Sequence, residues 1–380
     1  MRTLLDCTVA AFRRILSHRG TLGVLVLGTI LYGFFYPTPY LHQVVRDVPV
    51  VVVDRDHTPL SRQFSRWLDA SEGVAVSARI EDLEAARDAV RKGDAGGIVL
   101  IPEDFERQVL RREPAYLTTY ADGSYLQIYS TVNRSVNTVA ATIGAVIARS
   151  RPPVTLAGWP LFNPIGGYAT FIVPAVFILV LQQTLLIGVG ALRVAEPDTG
   201  GEDRAPVWAV LGGKSVALVL LYLLHAAFLF LAAFRIYDLP FRGALLTTTV
   251  FLIPFIIATT LLGIAIAELF ERSDSPIVAY ALFTIPALML SGVSFPVEAQ
   301  AGWVRALATV LPSTFGIRGF TQVGEMGATL GEASHPWIAL WVQALVYGTI
   351  AAWLMYRRRA APRAESLERS TASGSWGIQR

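Results

Sequence analysis

Residues 168–192 read YATFIVPAVFILVLQQTLLIGVGAL, a run without one charged side chain. A helix needs about 20 predominantly apolar residues to cross a hydrocarbon core about 30 Å thick. The run is therefore a membrane span, and the remaining sequence is organised around it. Five further segments satisfy the same test: 21–40, 213–234, 244–267, 275–294 and 336–356. The composition agrees. Of 380 residues 53% are hydrophobic and only 16% charged, against about a quarter charged in soluble domains. The mean hydropathy is +0.49. The expected fold is a mainly α-helical polytopic membrane protein with six transmembrane helices, 21–40 first and the other five within 168–356.

Six spans leave both termini on one side. Arg13, Arg14 and Arg19, then Arg193 and Arg204, then Arg357, Arg358 and Arg359 flank the apolar runs. Basic flanks mark cytoplasmic loops, so both termini, including the tail 357–380, are expected in the cytoplasm and the protein in a bacterial inner membrane. The net charge of +3 and a pI near 9.0 do not imply nucleic acid, because no basic stripe interleaved with aromatics appears. One cysteine, Cys7, leaves no intrachain disulfide and no multi-cysteine zinc site. No small-residue cleavage site follows the first span, so it reads as an uncleaved anchor. Ahead of it, within residues 1–20, Leu5, Val9, Phe12 and Leu16 line one helical face. That is an amphipathic helix suited to the membrane interface; an extension of the first span is the plainer alternative.

Residues 42–165 differ in composition, and the charges return there. Pro49–Val53 is an apolar run of the kind buried on both faces of a sheet. Thr58 offers an N-cap and Pro59 a first helical position. Strands near Val74–Ala78, Gly97–Ile101 and Ala115–Ala121 alternate with helices near 58–69, 81–91 and 102–110. This pattern predicts an α/β domain with a largely parallel sheet. A longer helix carries Ile128, Val132, Val136, Val139, Ile143 and Ile147 at helical spacing, a stripe suited to core packing. With one span before it, the domain is expected outside the cytoplasm.

Gly212-Gly213-Lys214-Ser215 resembles the end of a nucleotide P-loop, but the glycine needed six residues before the lysine is Trp208. The segment also opens an apolar span, so Lys214 reads as a flanking lysine and not a phosphate ligand. Asp54, Asp56 and His57 follow the first strand, where turn and capping duties are commoner than cation binding. The other histidines, His18, His42, His225 and His335, show no ligand spacing, and no nucleophile or paired-carboxylate motif appears. No metal, cofactor or catalytic site is expected in this chain. Gln182, Gln183 and His225 fall inside spans, where polar groups must face protein or a water-filled path. They either bond between helices or line a translocation path or dimer seam. In the loop 193–207, Glu196, Asp198, Glu202 and Asp203 cluster beside Arg204, as a solvated loop or as a docking surface for a soluble partner. Residues 291–328 are too apolar for a free loop and too broken by Pro296, Pro312 and glycines to span. Short helices at the outer interface, within 295–328, fit best, with Trp303, Phe315 and Phe320 as anchors.

The order of these parts, with VPVVVVDRDHTPLSRQ, FNPIGGYATFIVPA, LQQTLLIGVGALR and LSGVSFPVEA followed by VLPSTFGIRGF, resembles the type-2 family of ABC transporter permeases, in the subgroup with a large insert after the first span. The resemblance covers residues 1–356. It implies a permease subunit paired with a second copy or a paralogue in the lipid bilayer. It implies separate ABC ATPase subunits that hold ATP and Mg, a coupling helix within 193–207, and exit-closing helices within 291–328. It also implies a periplasmic adaptor as a partner. Export of a hydrophobic or amphipathic solute is the leading expectation. The alternative is a membrane-anchored sensor or scaffold whose periplasmic domain binds a ligand or envelope protein. Secondary transport is disfavoured by the absence of internal repeats and of acidic groups inside the spans.

Overall fold

The computed structural model describes residues 2–40, 44–121, 126–148, 167–194, 205–270, 284–293, 295 and 299–374. In chain order these form α1 (Arg2–Ser17), α2 (Arg19–Tyr40), β1 (Val48–Asp54), α3 (Pro59–Asp69), β2 (Val74–Ile80) and α4 (Leu83–Lys92). There follow β3 (Gly97–Ile101), α5 (Phe105–Arg111), β4 (Thr118–Ala121), α6 (Leu126–Ala148) and α7 (Tyr168–Val194). The chain ends with α8 (Val207–Ile236) and α9 (Leu245–Leu269), α10 (Thr284–Leu290), α11 (Gly302–Ala308), α12 (Pro312–Phe320) and α13 (Ser334–Gly374). The chain divides into two compact units, Met1–Leu41 with Gly167–Arg380, and His42–Gly166.

The smaller unit carries a four-stranded sheet in the order β2-β1-β3-β4. β1 pairs parallel to β2 and β3, while β4 runs antiparallel to β3. β1 is central, so its run of valines divides between two cores. Val48, Val50 and Val52 pack under α3, α5 and α6 with Phe64, Phe105, Val132 and Val136. Val51 and Val53 pack under α4 with Ala86. Thr58 caps α3 in a reciprocal box: its hydroxyl accepts from the Ser61 amide and the Ser61 hydroxyl accepts from the Thr58 amide. Two orphan donors of the first turn are thereby satisfied.

Among the described residues of the larger unit, five helices are long and apolar enough to cross a membrane: α2, α7, α8, α9 and Ser334–Arg359 of α13. Of the sixth expected span, 275–294, the described part is 284–293, which holds α10. α7 is the central helix. In its most apolar window 94% of the residues are buried within the protein, against 28% for α2 and 33% for α13. α7 is therefore covered by protein on nearly every side, while α2 and α13 leave apolar faces uncovered by the chain itself. Phe230 of α8 stacks on Phe320 of α12 with centroids 4.1 Å apart, and Phe177 of α7 stands edge-on to Phe230. Phe320 is thus a core residue and not an interfacial anchor. Its burial reflects close packing of the short helix α12 on α7 and α9, with Gly316 and Gly319 against Phe255 and Phe251. Trp303 is exposed, as an anchor requires.

Pro174 within α7 and Pro254 within α9 each leave a carbonyl without its usual donor. For Pro254 the freed carbonyl is that of Val250, and the Trp337 indole N–H of α13 points at it, 3.4 Å away. α13 also serves the end of α11. Gln343 Nε2 donates to the Thr309 carbonyl at 2.7 Å and the Tyr347 hydroxyl donates to that of Val310. A short helix is held by side chains that satisfy its terminal carbonyls.

Candidate functional site

Three successive polar residues, Gln182, Gln183 and Thr184, interrupt the middle of α7, and successive helical positions point about 100° apart. Each therefore meets a different environment. Gln182 is fully buried, and its Oε1 accepts the backbone N–H of Ser313, 2.7 Å away, in the first turn of α12. Thr184 donates to the Val180 carbonyl at 2.7 Å and accepts from the Tyr222 hydroxyl at 3.0 Å. The Thr29 hydroxyl of α2 lies 3.1 Å from the same oxygen. One donor and two acceptor sites exhaust a hydroxyl, so Thr184 joins α2, α7 and α8 with nothing left over.

The His225 ring stands edge-on to Tyr222 with centroids 5.1 Å apart, and it is buried. Its Nδ1, and both polar atoms of the Gln183 carboxamide, have no hydrogen-bond partner among the described residues. Leaving an amide unsatisfied in an apolar setting costs roughly 2–7 kcal/mol. The structure thus brings His225 to the Thr29–Thr184–Tyr222 cluster and ties Gln182 to α12. Gln183, though adjacent in sequence, belongs to neither contact.

Around this cluster two spans depart from α-helical winding. α2 is wound as a π-helix over Gly23–Gly28 and α8 over Phe228–Ala233. Such segments are frequent at functional sites. Thr29 directly follows the first, and Tyr222 and His225 precede the second. Gly188 admits α2 closely: a Cβ there would meet the Leu25 side chain at 1.9 Å. Small residues allow this approach between membrane helices.

A second polar group closes one end of the unit. Glu268, in the last turn of α9, has a side chain only 7% exposed. Its Oε1 is 3.6 Å from Arg193 Nε at the end of α7, and its Oε2 is 3.3 Å from Arg358 Nη1 on α13. Lys214 of α8 is buried and shares with Arg193 and Glu268 the lining of a cavity of about 20 Å³, room for roughly one water. Arg359 Nη1 donates to the Ala205 carbonyl at 2.6 Å. Lys214 is therefore not a lysine reaching out from a flank; it sits in the second turn of α8 within a packed charged cluster.

Its glycine neighbours have a packing reason. A Cβ on Gly213 would meet the Cys7 Cβ at 2.5 Å and the Thr8 amide nitrogen at 2.9 Å, and one on Gly212 would meet Leu4 at 2.9 Å. The pair lets α1 lie against the start of α8. Ala11 and Ile15 of α1 are buried, while Leu5, Val9 and Leu16 are exposed. The apolar stripe expected from the sequence is thus distinct from the face that packs on protein.

The acidic cluster of the smaller unit is taken up by local bonding. Asp54 accepts from the Asp56 and His57 amides and the Ser61 hydroxyl. Asp56 accepts from the Thr58 hydroxyl and, at 3.0 Å, from the Glu106 amide opening α5. The predicted loop residues Glu196, Asp198, Glu202, Asp203 and Arg204 lie outside the described residues. Sequence reasoning did not single out Thr29, Thr184, Tyr222, Ser313 or Glu268 as partners. A polar residue within a span was the available signal for the first three.

A central helix buried all round, polar groups joined across spans and several further apolar helices define a polytopic membrane protein. The sequence model of the ABC-2 family transporter proteins matches residues 19–353, and the chain belongs to that family. It is 22% identical to a probable multidrug ABC transporter permease, YbhR, of Escherichia coli K12, over 91% of this chain and 95% of that one. It is 21% identical to the linearmycin resistance permease protein LnrN of Bacillus subtilis 168, over 75% of this chain and 82% of the relative. No solved structure matches at a significant level. The chain is therefore an ABC-2 permease, a multi-pass membrane component of a transporter.

Proposed function

We propose that this chain is the transmembrane half of an exporter that moves a hydrophobic or amphipathic solute outward from the cytoplasm or inner leaflet. A second permease copy or a paralogue completes the pathway, and separate ATPase subunits supply the energy. The family match along 19–353 carries this reading. The relatives named for multidrug transport and linearmycin resistance support export of a drug-like solute. The buried setting of Lys214 speaks for ATP being bound elsewhere, because a phosphate ligand must reach solvent-borne nucleotide.

In this reading residues 275–294 complete six spans, and both termini are cytoplasmic. The α/β unit then lies on the periplasmic side, where an adaptor could meet it. Gln183 and His225 are among the interior groups with unmet polar atoms, which a passing solute, water or a second copy would satisfy by approaching there. Gln182 serves the same region by holding α12. The loop 193–207 is the docking surface, with Glu196, Asp198, Glu202, Asp203 and Arg204 facing the ATPase.

Co-expression with the ATPase subunits tests this. Wild-type permease should retain them through purification and drive efflux. Reversing the four acids together should release them while leaving membrane insertion intact, because truncating paired interface charges costs about 2–5 kcal/mol. Full efflux and retention in the quadruple variant reject the loop as the contact. Failure of the wild type to hold any ATPase favours the sensor alternative. Cysteine labelling on a Cys7→Ser background should find Ser71→Cys reactive from outside, and Thr199→Cys and Ser366→Cys only from inside.

A further inference from the structure

The charged cluster at Glu268 lies at both ends of the stretch 195–204. Arg193, just before that stretch, faces Glu268 at 3.6 Å, and Ala205, just after it, is held through its carbonyl by Arg359 at 2.6 Å. The neighbouring residue Arg358 returns to the other oxygen of Glu268 at 3.3 Å. The chain on either side of the loop is therefore gripped by one assembly, built from the ends of α9 and α13. A cavity of about 20 Å³ leaves no room there for a ligand larger than water.

Glu268 is poorly placed by its own helix. An acid in the last turn lies against the negative end of the helix dipole, and here its side chain is 93% withdrawn from solvent. Local helix energetics disfavour it, so the arginines compensate. Such a carboxylate adds little to the apolar core and can join helices that otherwise slide past one another in lipid. Its two oxygens reach α7 and α13, and α9 carries it.

We infer that Glu268 is a positioning residue for energy coupling: through Arg193 and Arg358 it transmits displacement of the 193–207 loop to the ends of α9 and α13. The inference rests on the docking of ATPase subunits at that loop. It assigns to Glu268 transmission and not docking, so the two can fail separately.

The experiment is a comparison of wild type, Glu268→Gln, Glu268→Asp and the exchanged pair Glu268→Arg with Arg193→Glu, each co-expressed with the ATPase subunits. Co-purification, melting temperature, ATP turnover and efflux are measured on each. Glu268→Gln should co-purify as the wild type does and hydrolyse ATP at a similar rate, with a melting temperature lowered because Arg193 loses its counter-charge. Its efflux per ATP should fall about tenfold, the usual size of a coupling between sites. Glu268→Asp and the exchanged pair should recover part of the loss. Unchanged efflux per ATP in Glu268→Gln overturns the inference while leaving docking intact. Efflux lost together with co-purification also overturns it, by showing a purely structural role. Loss of ATPase retention in the wild type overturns both readings.

Discussion

Ser313 donates its backbone N–H to Gln182 Oε1 across 2.7 Å, joining two residues 131 positions apart in the chain. The donor opens a short helix, and helix-opening amides have no partner within their own helix. The acceptor lies in mid-span, where an amide oxygen has no water to turn to. Each residue solves the other's problem. The short helix α12 is thus tied to α7, the most buried span, by a polar bond, and to α8 by the Phe230–Phe320 stack.

Gln182→Leu removes the acceptor and leaves a buried N–H without one. A loss of about 1–3 kcal/mol is expected, seen as a lower melting temperature in detergent. The same substitution should increase hydrogen exchange at Ser313. A variant as stable as the wild type, with unchanged exchange at Ser313, would show the bond to be dispensable.

Gly213→Val should push α1 away from α8, because the new Cβ meets Cys7 and the Thr8 backbone below van der Waals distance. Cys7 is the single cysteine and is partly buried, so it reports the movement directly. Its reaction with a membrane-permeant maleimide should accelerate several-fold. An unaltered labelling rate would mean that the contact adjusts without separation.

Burial pushes the Glu325 carboxyl up to about 7, and its bond from Thr321 and the charge of Arg242 only partly oppose this. A carboxyl raised above its unfolded value binds protons more readily when folded, so its contribution is complete below about 4.5 and lost as pH rises through 7. The backbone bonds from Arg242 and Gly243 to the Gly324 carbonyl should therefore exchange more slowly at pH 5 than at pH 8. Glu325→Gln should flatten that difference. A wild type whose exchange, corrected for intrinsic rate, does not vary with pH would contradict the assignment.

Asp54→Ala removes the acceptor of two turn amides and the Ser61 hydroxyl. The start of α3 should loosen by about 1–2 kcal/mol, as for loss of a helix cap, and limited proteolysis should cut near His57 sooner. Excess calcium or zinc should leave the wild-type cleavage rate unchanged, since these carboxylate oxygens are already occupied by hydrogen bonds. Protection by either ion would restore the cation reading.

Hydropathy alone determined that the chain is a membrane protein with a polar insert, because the requirement for about 20 apolar residues per span is local. Periodicity determined the strands, the Thr58 cap and the valine stripe of α6, since each depends on residues a few positions apart. It also excluded a P-loop at Gly212–Ser215, from spacing. The tertiary structure decided what those residues do instead. Gly213 admits α1, and Lys214 enters the lining of a cavity shared with Glu268, from a helix more than 50 positions away. Likewise Gln182 and Gln183 are indistinguishable in sequence, yet only Gln182 finds Ser313. Polar groups in a low-dielectric interior are governed by whichever partner the packing brings within 3 Å, and that distance is set by the arrangement of whole helices and not by neighbours in the chain.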